Sequence, residues 1–543
     1  MHLLATSLTT PHFMGDTADY VASIVRGIEF WEFGHLFWRP LGWLCYQAFL
    51  PVTSLVVGAD AYLNATLTLI WLNWLAGLCC VLLLYHLIYN LLQRRAIACG
   101  IAIAFLFSHA FLNFAQTGSS YIPGLAFLLL GLHLSTRQPD AGSNLTYYLA
   151  GAAFAAAVGF WFLFILVIPA ALLCPLILFG KEKRPLPSLV KTTLVFLLLV
   201  GLCYAIVMIH LQIYTLAAFK AWVVAASHGM KTSGISRVIF GIPRSFIAME
   251  NYGLLFKRFL LQDPYNPVSP LQLLVAHFWK LLLFGLMFAA LAITIWRSPQ
   301  RKQIFALVVL AAAPLLAFAT RFSGSDIERY LPLYPLLFVT AAYTVANPPS
   351  RQWLKAIVVA FFIIAGVVNF TATANWRLHR EQGKVAQRVS PLLPALNPQS
   401  WIFTLNEQDE LINFKRSFPF NEISQRANLN VAPVLRLNTT ELDSWRNGFA
   451  ESAKAIWAEG GSIWLSNRLF RAASLPEWYW AEGDDKRIAW AEVVEFFSRM
   501  QTESISEMED GFRLLSPSEQ NRLLLSRQET LQPVAQSSQT ERP

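Results

Sequence analysis

Residues 62–92 carry no charged side chain and stop at the pair Arg94–Arg95. In a bilayer the backbone polar groups have no water to bond with, so such a run is confined to a helix. About 20 apolar residues cross the hydrocarbon core, and comparable runs recur along the chain. They place spans near 62–92, 96–115, 121–134, 145–158, 161–179, 189–214, 271–296, 303–320, 329–346 and 353–372. The apolar stretch from Ala150 to Leu176 is split near Gly159, because the charges flanking it demand an even number of crossings. Of the 543 residues, 55% are hydrophobic and 14% charged, against about a quarter charged in soluble domains. The expected fold is mostly α: a polytopic transmembrane helical bundle of about 10–11 spans, with outer-loop amphipathic helices and a small C-terminal α/β domain.

The formal charge of +9 is unevenly spread. Residues 1–372 hold 23 Lys/Arg and 11 Asp/Glu; residues 373–543 hold 19 and 22. The membrane half is therefore +12 and the remainder −3. Basic residues beside spans set orientation or meet lipid phosphates, so the excess implies no nucleic-acid partner. Arg94–Arg95, Arg137, the Lys181–Arg184 group, the Arg297–Lys302 group and Arg351–Lys355 occupy alternate loops. The positive-inside rule makes these loops cytoplasmic. Gly15–Asp60, 115–120, 215–270, 321–328 and everything after 373 then face outward. The opening MHLLATSLTTPHFM is too short to span and is a poor signal peptide. Either the chain begins further upstream with another helix, the preferred expectation, or this segment enters the membrane partway. All six cysteines lie in the membrane half, with no metal-ligand spacing.

The outward-facing acids of the membrane half number nine: Asp16, Asp19, Glu29, Glu32, Asp60, Glu250, Asp263, Asp326 and Glu328. Two fall together in the stretch GDTADY. Tyr20, Val21, Ile24, Val25, Ile28 and Trp31 follow at near-helical spacing, which predicts an amphipathic helix on the bilayer surface. Asp16 stands at its N-terminal end, where the helix dipole favours a carboxylate. The plain alternative is that Asp16 or Thr17 only caps that helix.

This acid before Tyr20, the amphipathic helix and the following RPLGWL (Arg39–Leu44) resemble the first outer loop of the GT-C membrane glycosyltransferases. The nearest branch is the protein O-mannosyltransferase, ArnT and Rgt-type group. Asp16, Tyr20, Arg39 and Pro40 match that pattern, and ERYLPLYPLLF (Glu328–Phe338) resembles the family's R-Y-L-L-P-x-x-P segment. The resemblance spans about residues 15–372 through topology. It implies a polyprenyl-phosphate sugar donor, inversion at the anomeric carbon and a loop acid as base. Asp16 takes that role and Asp19 is the reserve. There are departures. Many relatives carry two adjacent acids where this chain has Asp16–Thr17. Some carry a further acid opening an early span, where this chain reads Ser119–Ser120–Tyr121. A divalent metal ion therefore stays an open alternative, and no other cofactor is implied.

The chemistry needs a base for the acceptor hydroxyl and cations for the leaving phosphate. Cations abound in 215–270: Lys220, Lys231, Arg237, Arg244, Lys257 and Arg258. Loose obedience of long loops to the orientation rule is the preferred explanation, and a phosphate-lipid headgroup site is the functional one. Lys280 lies inside a span, where it either snorkels or faces the same phosphate. Arg329 and Tyr330 stand where the late motif opens its span; a guanidinium there is either a phosphate fork or an interfacial anchor. The expected substrate-binding set is Tyr20, Arg39, Arg237, Arg244, Lys257, Arg258, Lys280, Arg329 and Tyr330. Partners are a polyprenyl-phosphate-linked sugar, membrane lipid and an acceptor lipid, glycan or protein. The expected location is a bacterial inner membrane, with site and C-terminal domain outside.

Beyond 373 the composition becomes soluble, with a 373–527 domain and a 528–543 tail. SWIFTL, NVAPVLRL, SIWLS and GFRLL read as strands, and helices fall within 439–461 and 490–500. Alternating strands and helices predict a partly parallel sheet. Two rival functions remain: a flippase or transporter for a lipid-linked sugar, and an O-antigen-type polymerase or ligase. Transporters place ionisable groups near the midplane, whereas here they gather in outer loops.

Overall fold

The computed structural model of the chain describes residues 1–11, 14–137, 144–183, 186–226, 234–249, 259, 268–299, 301–322, 324–346, 351–374, 385, 387–406, 411, 430–435, 444–470, 492–504 and 511–526. It divides into two compact units, Met1–Arg380 and Glu381–Pro543.

Among its described residues the first unit is built of helices. In chain order its helices are α1 (His2–Leu8), α2 (Thr17–Arg26), α3 (Trp38–Val57), α4 (Ala61–Leu92), α5 (Arg95–Leu106), α6 (His109–Phe114), α7 (Tyr121–Thr136) and α8 (Leu145–Phe160). There follow α9 (Ile168–Lys183), α10 (Leu186–His210), α11 (Leu216–Ala225), α12 (Ile235–Phe246), α13 (Pro270–Arg297), α14 (Arg301–Arg321), α15 (Tyr334–Ala346) and α16 (Gln352–Thr373). Six among the described residues are long and apolar enough to cross a membrane: α3, α4, α10, α13, α14 and α16. Each of the ten expected spans falls on helix. The 96–115 span is broken at Phe107–Ser108 into α5 and α6. The 150–176 stretch breaks at Trp161, two residues past Gly159, and passes through a 3-10 turn, Phe162–Leu166. Helix α13 contains a π turn at Leu274–Phe278.

Helix α3 was not expected as a separate helix. Its first residue is tied to the 115–120 turn by Trp38 Nε1, which donates to Gly118 O at 2.8 Å. Its last turn meets the start of α4, where Asn64 Nδ2 donates to Gly58 O at 2.7 Å. Both ends of α3 therefore stay at one end of the bundle, and α3 does not cross it despite its length. This packing also corrects the expectation for α2. The helix forms, stopped by Gly27 in the left-handed region at φ 68°. Its apolar face does not meet lipid: Tyr20, Val21 and Ile24 are buried against Trp38, Tyr46, Ala65 and Leu69, because α3 folds over it.

Helix α4, with 32 residues, is about 48 Å long and outruns a hydrocarbon core of about 30 Å. Counted from the Arg94–Arg95 end, about 20 residues fill that core and reach Asn73. Elsewhere in the bundle, Asn369 of α16 joins three elements. Its Nδ2 donates to Phe107 O and Phe246 O, both at 2.7 Å, and its Oδ1 accepts from Ala248 N at 2.6 Å.

The second unit holds a five-stranded sheet in the order β2-β1-β3-β5-β4. The strands are β1 (Trp401–Asn406), β2 (Asn430–Leu435), β3 (Ile463–Ser466), β4 (Thr502–Ser504) and β5 (Phe512–Leu515). β1 pairs in parallel with β2 and β3, while β5 pairs antiparallel with β3 and β4. Alternation along each strand divides the side chains between two faces. Helices Ser444–Ala458 and 492–498 cover the face with Phe403, Leu405, Ile463 and Leu465. Val389 and Leu392 cover Ile402 and Trp464 on the other. The partly parallel α/β unit expected from the sequence is present. The capping box expected at Thr440–Asp443 lies outside the described residues.

Candidate active site

The site is built where two distant segments dock. Thr17 Oγ1 accepts from Gly118 N at 2.9 Å and donates to Met14 O. Ser119 Oγ donates to Met14 O at 3.3 Å, and Asn73 Nδ2 holds Ser119 O at 2.8 Å. Only glycine permits this approach at two positions. Gly15 has φ +59°, and a Cβ there would lie 2.7 Å from Ser119 Oγ. A Cβ on Gly118 would lie 2.6 Å from Thr17 Cγ2.

Asp16 is the N-cap residue of α2, yet its side chain makes no cap hydrogen bond. The plain alternative for this acid is therefore not what the side chain does. Its Oδ2 accepts from Tyr121 OH at 2.8 Å and, at the longer distance of 3.5 Å, from Tyr20 OH. Tyr121 opens α7, with Phe114 at 5.0 Å, Trp161 at 4.6 Å and His35 at 6.1 Å between ring centroids. His35 Nδ1 lies 2.6 Å from Ser120 Oγ and 3.2 Å from Phe160 O. Asp19 sits exposed in the first turn of α2.

Arg39 serves this scaffold. Its guanidinium is buried, pairs with Glu32 Oε2 at 2.8 Å and donates to Glu29 O at 2.6 Å. That second bond holds a left-handed residue, Glu29 at φ 54°. The same guanidinium lies 5.5 Å from the centre of the Tyr20 ring. Tyr20 is fully buried, and burial first, then the Asp16 charge, pushes its phenol well above the usual value.

The late motif meets the early one here. A 3-10 stretch, Ile327–Leu333, leads into α15. Glu328 is buried in it, and burial followed by the Asp326 charge raises its carboxyl above the usual range, with Arg329 opposing and Asp16 adding to the rise. Arg329 lies 3.9 Å from Asp326 Oδ2 and 5.9 Å from the Phe318 ring centre. Arg244, at the end of α12, donates to Ser325 O at 3.3 Å. Its carbonyl accepts from His109 Nδ1 at 2.7 Å. Tyr330 OH donates to Gly324 O at 2.6 Å and is buried beside Val238 and Ala319.

Other expected residues lie apart from these contacts. Arg237 is exposed on the first turn of α12. Lys280 Nζ donates to Ala248 O at 2.8 Å. Lys257 and Arg258 lie outside the described residues. Among the described residues no three His, Cys, Asp or Glu side chains group closely enough to hold a metal ion. The described hydrogen-bond partners of Asp16 are the phenols of Tyr121 and Tyr20. Tyr121 marks the place where the resembled family carries a further acid, but its own bond to Asp16 has no signal in sequence. Aromatic residues at span ends are the usual interfacial anchors.

Glu328 gives the site a pH signature. Its carboxyl holds a proton more tightly folded than unfolded, so its contribution is present at low pH and lost as pH rises from the ordinary glutamate range through the raised folded value. Glu328→Gln keeps the shape without the titration. In thermal unfolding in detergent, its Tm relative to the native chain should rise with pH by roughly 2 °C or more. A flat difference from acid to mildly alkaline pH would place no titrating carboxyl here.

No family model and no curated protein sequence matches the chain. Solved structures do. ArnT from Cupriavidus metallidurans bound to undecaprenyl phosphate superposes with a TM-score of 0.50 at 11% identity, over 95% of this chain and 96% of that one. The same protein in its apo state gives 0.48 at 12% identity, over 97% of both chains. The Archaeoglobus fulgidus oligosaccharyltransferase in complex with Zn and sulfate gives 0.41 at 11% identity, over 95% and 72%. The match to the lipid-bound ArnT extends through almost the whole of both chains, and with it this chain is shown to share the fold of that protein.

Proposed function

We propose that this protein transfers a hexose or pentose from a polyprenyl-phosphate donor to an acceptor hydroxyl, with inversion, at the extracytoplasmic face of a bacterial inner membrane. The observation that carries the proposal is the Asp16 carboxylate. It stands at a helix N-terminus without capping it and is held by Tyr121 at 2.8 Å, beside the Glu328–Arg329 segment. The undecaprenyl phosphate bound by an ArnT of the same fold supports a polyprenyl-phosphate donor. The acceptor is a lipid, glycan or protein.

Asp16 acts as general base. The acceptor O–H gives its proton to the carboxylate as its oxygen bonds the anomeric carbon from the face opposite the phosphate. The bond from that carbon to the phosphate oxygen breaks, and the phosphate leaves with the electron pair. Arg329 and Arg244 supply positive charge for the leaving group. Asp19, exposed one turn on, is the reserve base.

Three outcomes follow. Asp16→Asn, which keeps shape but loses basicity, should lower transfer by about 10²–10⁴-fold in membranes supplied with a panel of labelled polyprenyl-phosphate sugars. Normal transfer in both Asp16→Asn and Asp19→Asn would remove the loop from the chemistry. Lysine cannot copy the guanidinium fork, so Arg329→Lys should raise the donor KM, and Arg329→Ala should also lower kcat, because the phosphate gains charge in the transition state. Unchanged donor kinetics in Arg329→Ala would leave it a membrane anchor. For orientation, Ser452→Cys on an exposed helix turn, in a chain without its six cysteines, should react with an impermeant thiol reagent on intact cells. Reaction only after lysis would reverse the topology.

A further inference from the structure

We propose that Tyr121 is the positioning residue of Asp16: its phenol locks Oδ2 so that Oδ1 is presented to the acceptor hydroxyl. The inference rests on the assignment of Asp16 as base. A carboxylate on a short side chain turns about a broad two-fold torsion, and general-base catalysis loses rate steeply when the accepting oxygen is misplaced. Here one oxygen is spoken for. Oδ2 takes both described hydrogen bonds, from Tyr121 at 2.8 Å and Tyr20 at 3.5 Å. The other oxygen is not used to cap α2.

The donor is itself immobile. Tyr121 is 5% exposed, and its ring is walled by Phe114, Trp161 and His35. Its backbone is anchored through its neighbours, since Ser119 O is held by Asn73 and Ser120 Oγ by His35. A phenol with an ordinary value near 10 is a donor at neutral pH. Both phenols are buried, and the shorter bond comes from Tyr121, so Tyr121 sets the orientation and Tyr20 supports it. In the transfer step the acceptor proton moves to Oδ1, while the bond from Tyr121 to Oδ2 stays in place and its proton does not transfer.

The test uses the full chain in membranes with the same labelled polyprenyl-phosphate sugars. Tyr121→Phe keeps the ring packing and removes the donor. It should lower kcat about 10–100-fold while donor KM stays within about twofold; Tyr20→Phe should cost less than about fivefold. Without any substrate, a double-mutant cycle of Tm for Tyr121→Phe and Asp16→Asn should show coupling, the double variant losing less than the two singles summed. An inactive Asp16→Asn beside a fully active Tyr121→Phe overturns this inference alone, whereas a fully active Asp16→Asn overturns the base assignment beneath it. Additive Tm losses would also count against it. Should Tyr121→Phe not be recovered folded, Asp16→Glu carries the test: one methylene displaces the oxygen from its hold, so kcat should fall at constant donor KM, and full kcat would overturn the proposal.

Discussion

The candidate site depends on a single docking contact, the one between residues 14–17 and the 115–120 turn. One hydroxyl, Thr17 Oγ1, links Gly118 N to Met14 O. Around it Trp38 holds the Gly118 carbonyl and Asn73 the Ser119 carbonyl. These are turns, whose backbone groups have no helix ladder to satisfy them, and leaving such groups unpaired at depth costs about 1–3 kcal/mol each. Side chains from α2, α3 and α4 therefore do for this turn what a helix does for itself. By doing so they bring Asp16 to Tyr121, which lie 105 residues apart.

A buried ion pair stiffens the other flank. Charges withdrawn from water are tolerated when they are paired and hydrogen-bonded, and Arg39 meets both conditions with Glu32 and the Glu29 carbonyl. Its place under Tyr20 makes it a support for the phenol, one step behind the carboxylate. Two cations stand at the late motif: Arg329 within it and Arg244 at the end of α12. Both are tied to the loop around 324–326, so that loop and the two guanidinium groups form one charged edge.

The spans were legible because lipid allows only one backbone solution, and their charged flanks punctuate them. Asp16 stood out as a candidate because acids are scarce in the membrane half, and the resemblance implied its role. Helix α3 was not, since an apolar helix lying along one end of a bundle has the composition of a span and neither flank identifies it. The Tyr121–Asp16 bond joins residues with no periodic relation, and nothing local encodes it. The same applies to the Asn369 junction, where one amide in a span serves three backbone groups from elsewhere. In the second unit the longer strands were legible from their alternation, while the three-residue β4 and the closing helix Glu519–Ser526 are too short to show a period.

Helix α4 works as a depth gauge. One hydrocarbon thickness from Arg94 ends at Asn73, and Asn73 is the residue that grips the turn leading to Tyr121. In the proposed reading the carboxylate is then stationed at the boundary between two solvents. For the proposed transfer to a glycan or protein acceptor, the donor keeps its tail dissolved in lipid and only its phosphate rises to the boundary, while the acceptor descends from water and stops at the same plane. Each reactant is confined by its own solubility to one side of the reacting bond. The spent lipid phosphate stays in the bilayer, and a water-soluble product departs in the opposite direction. Partition between phases separates the two products without any moving gate.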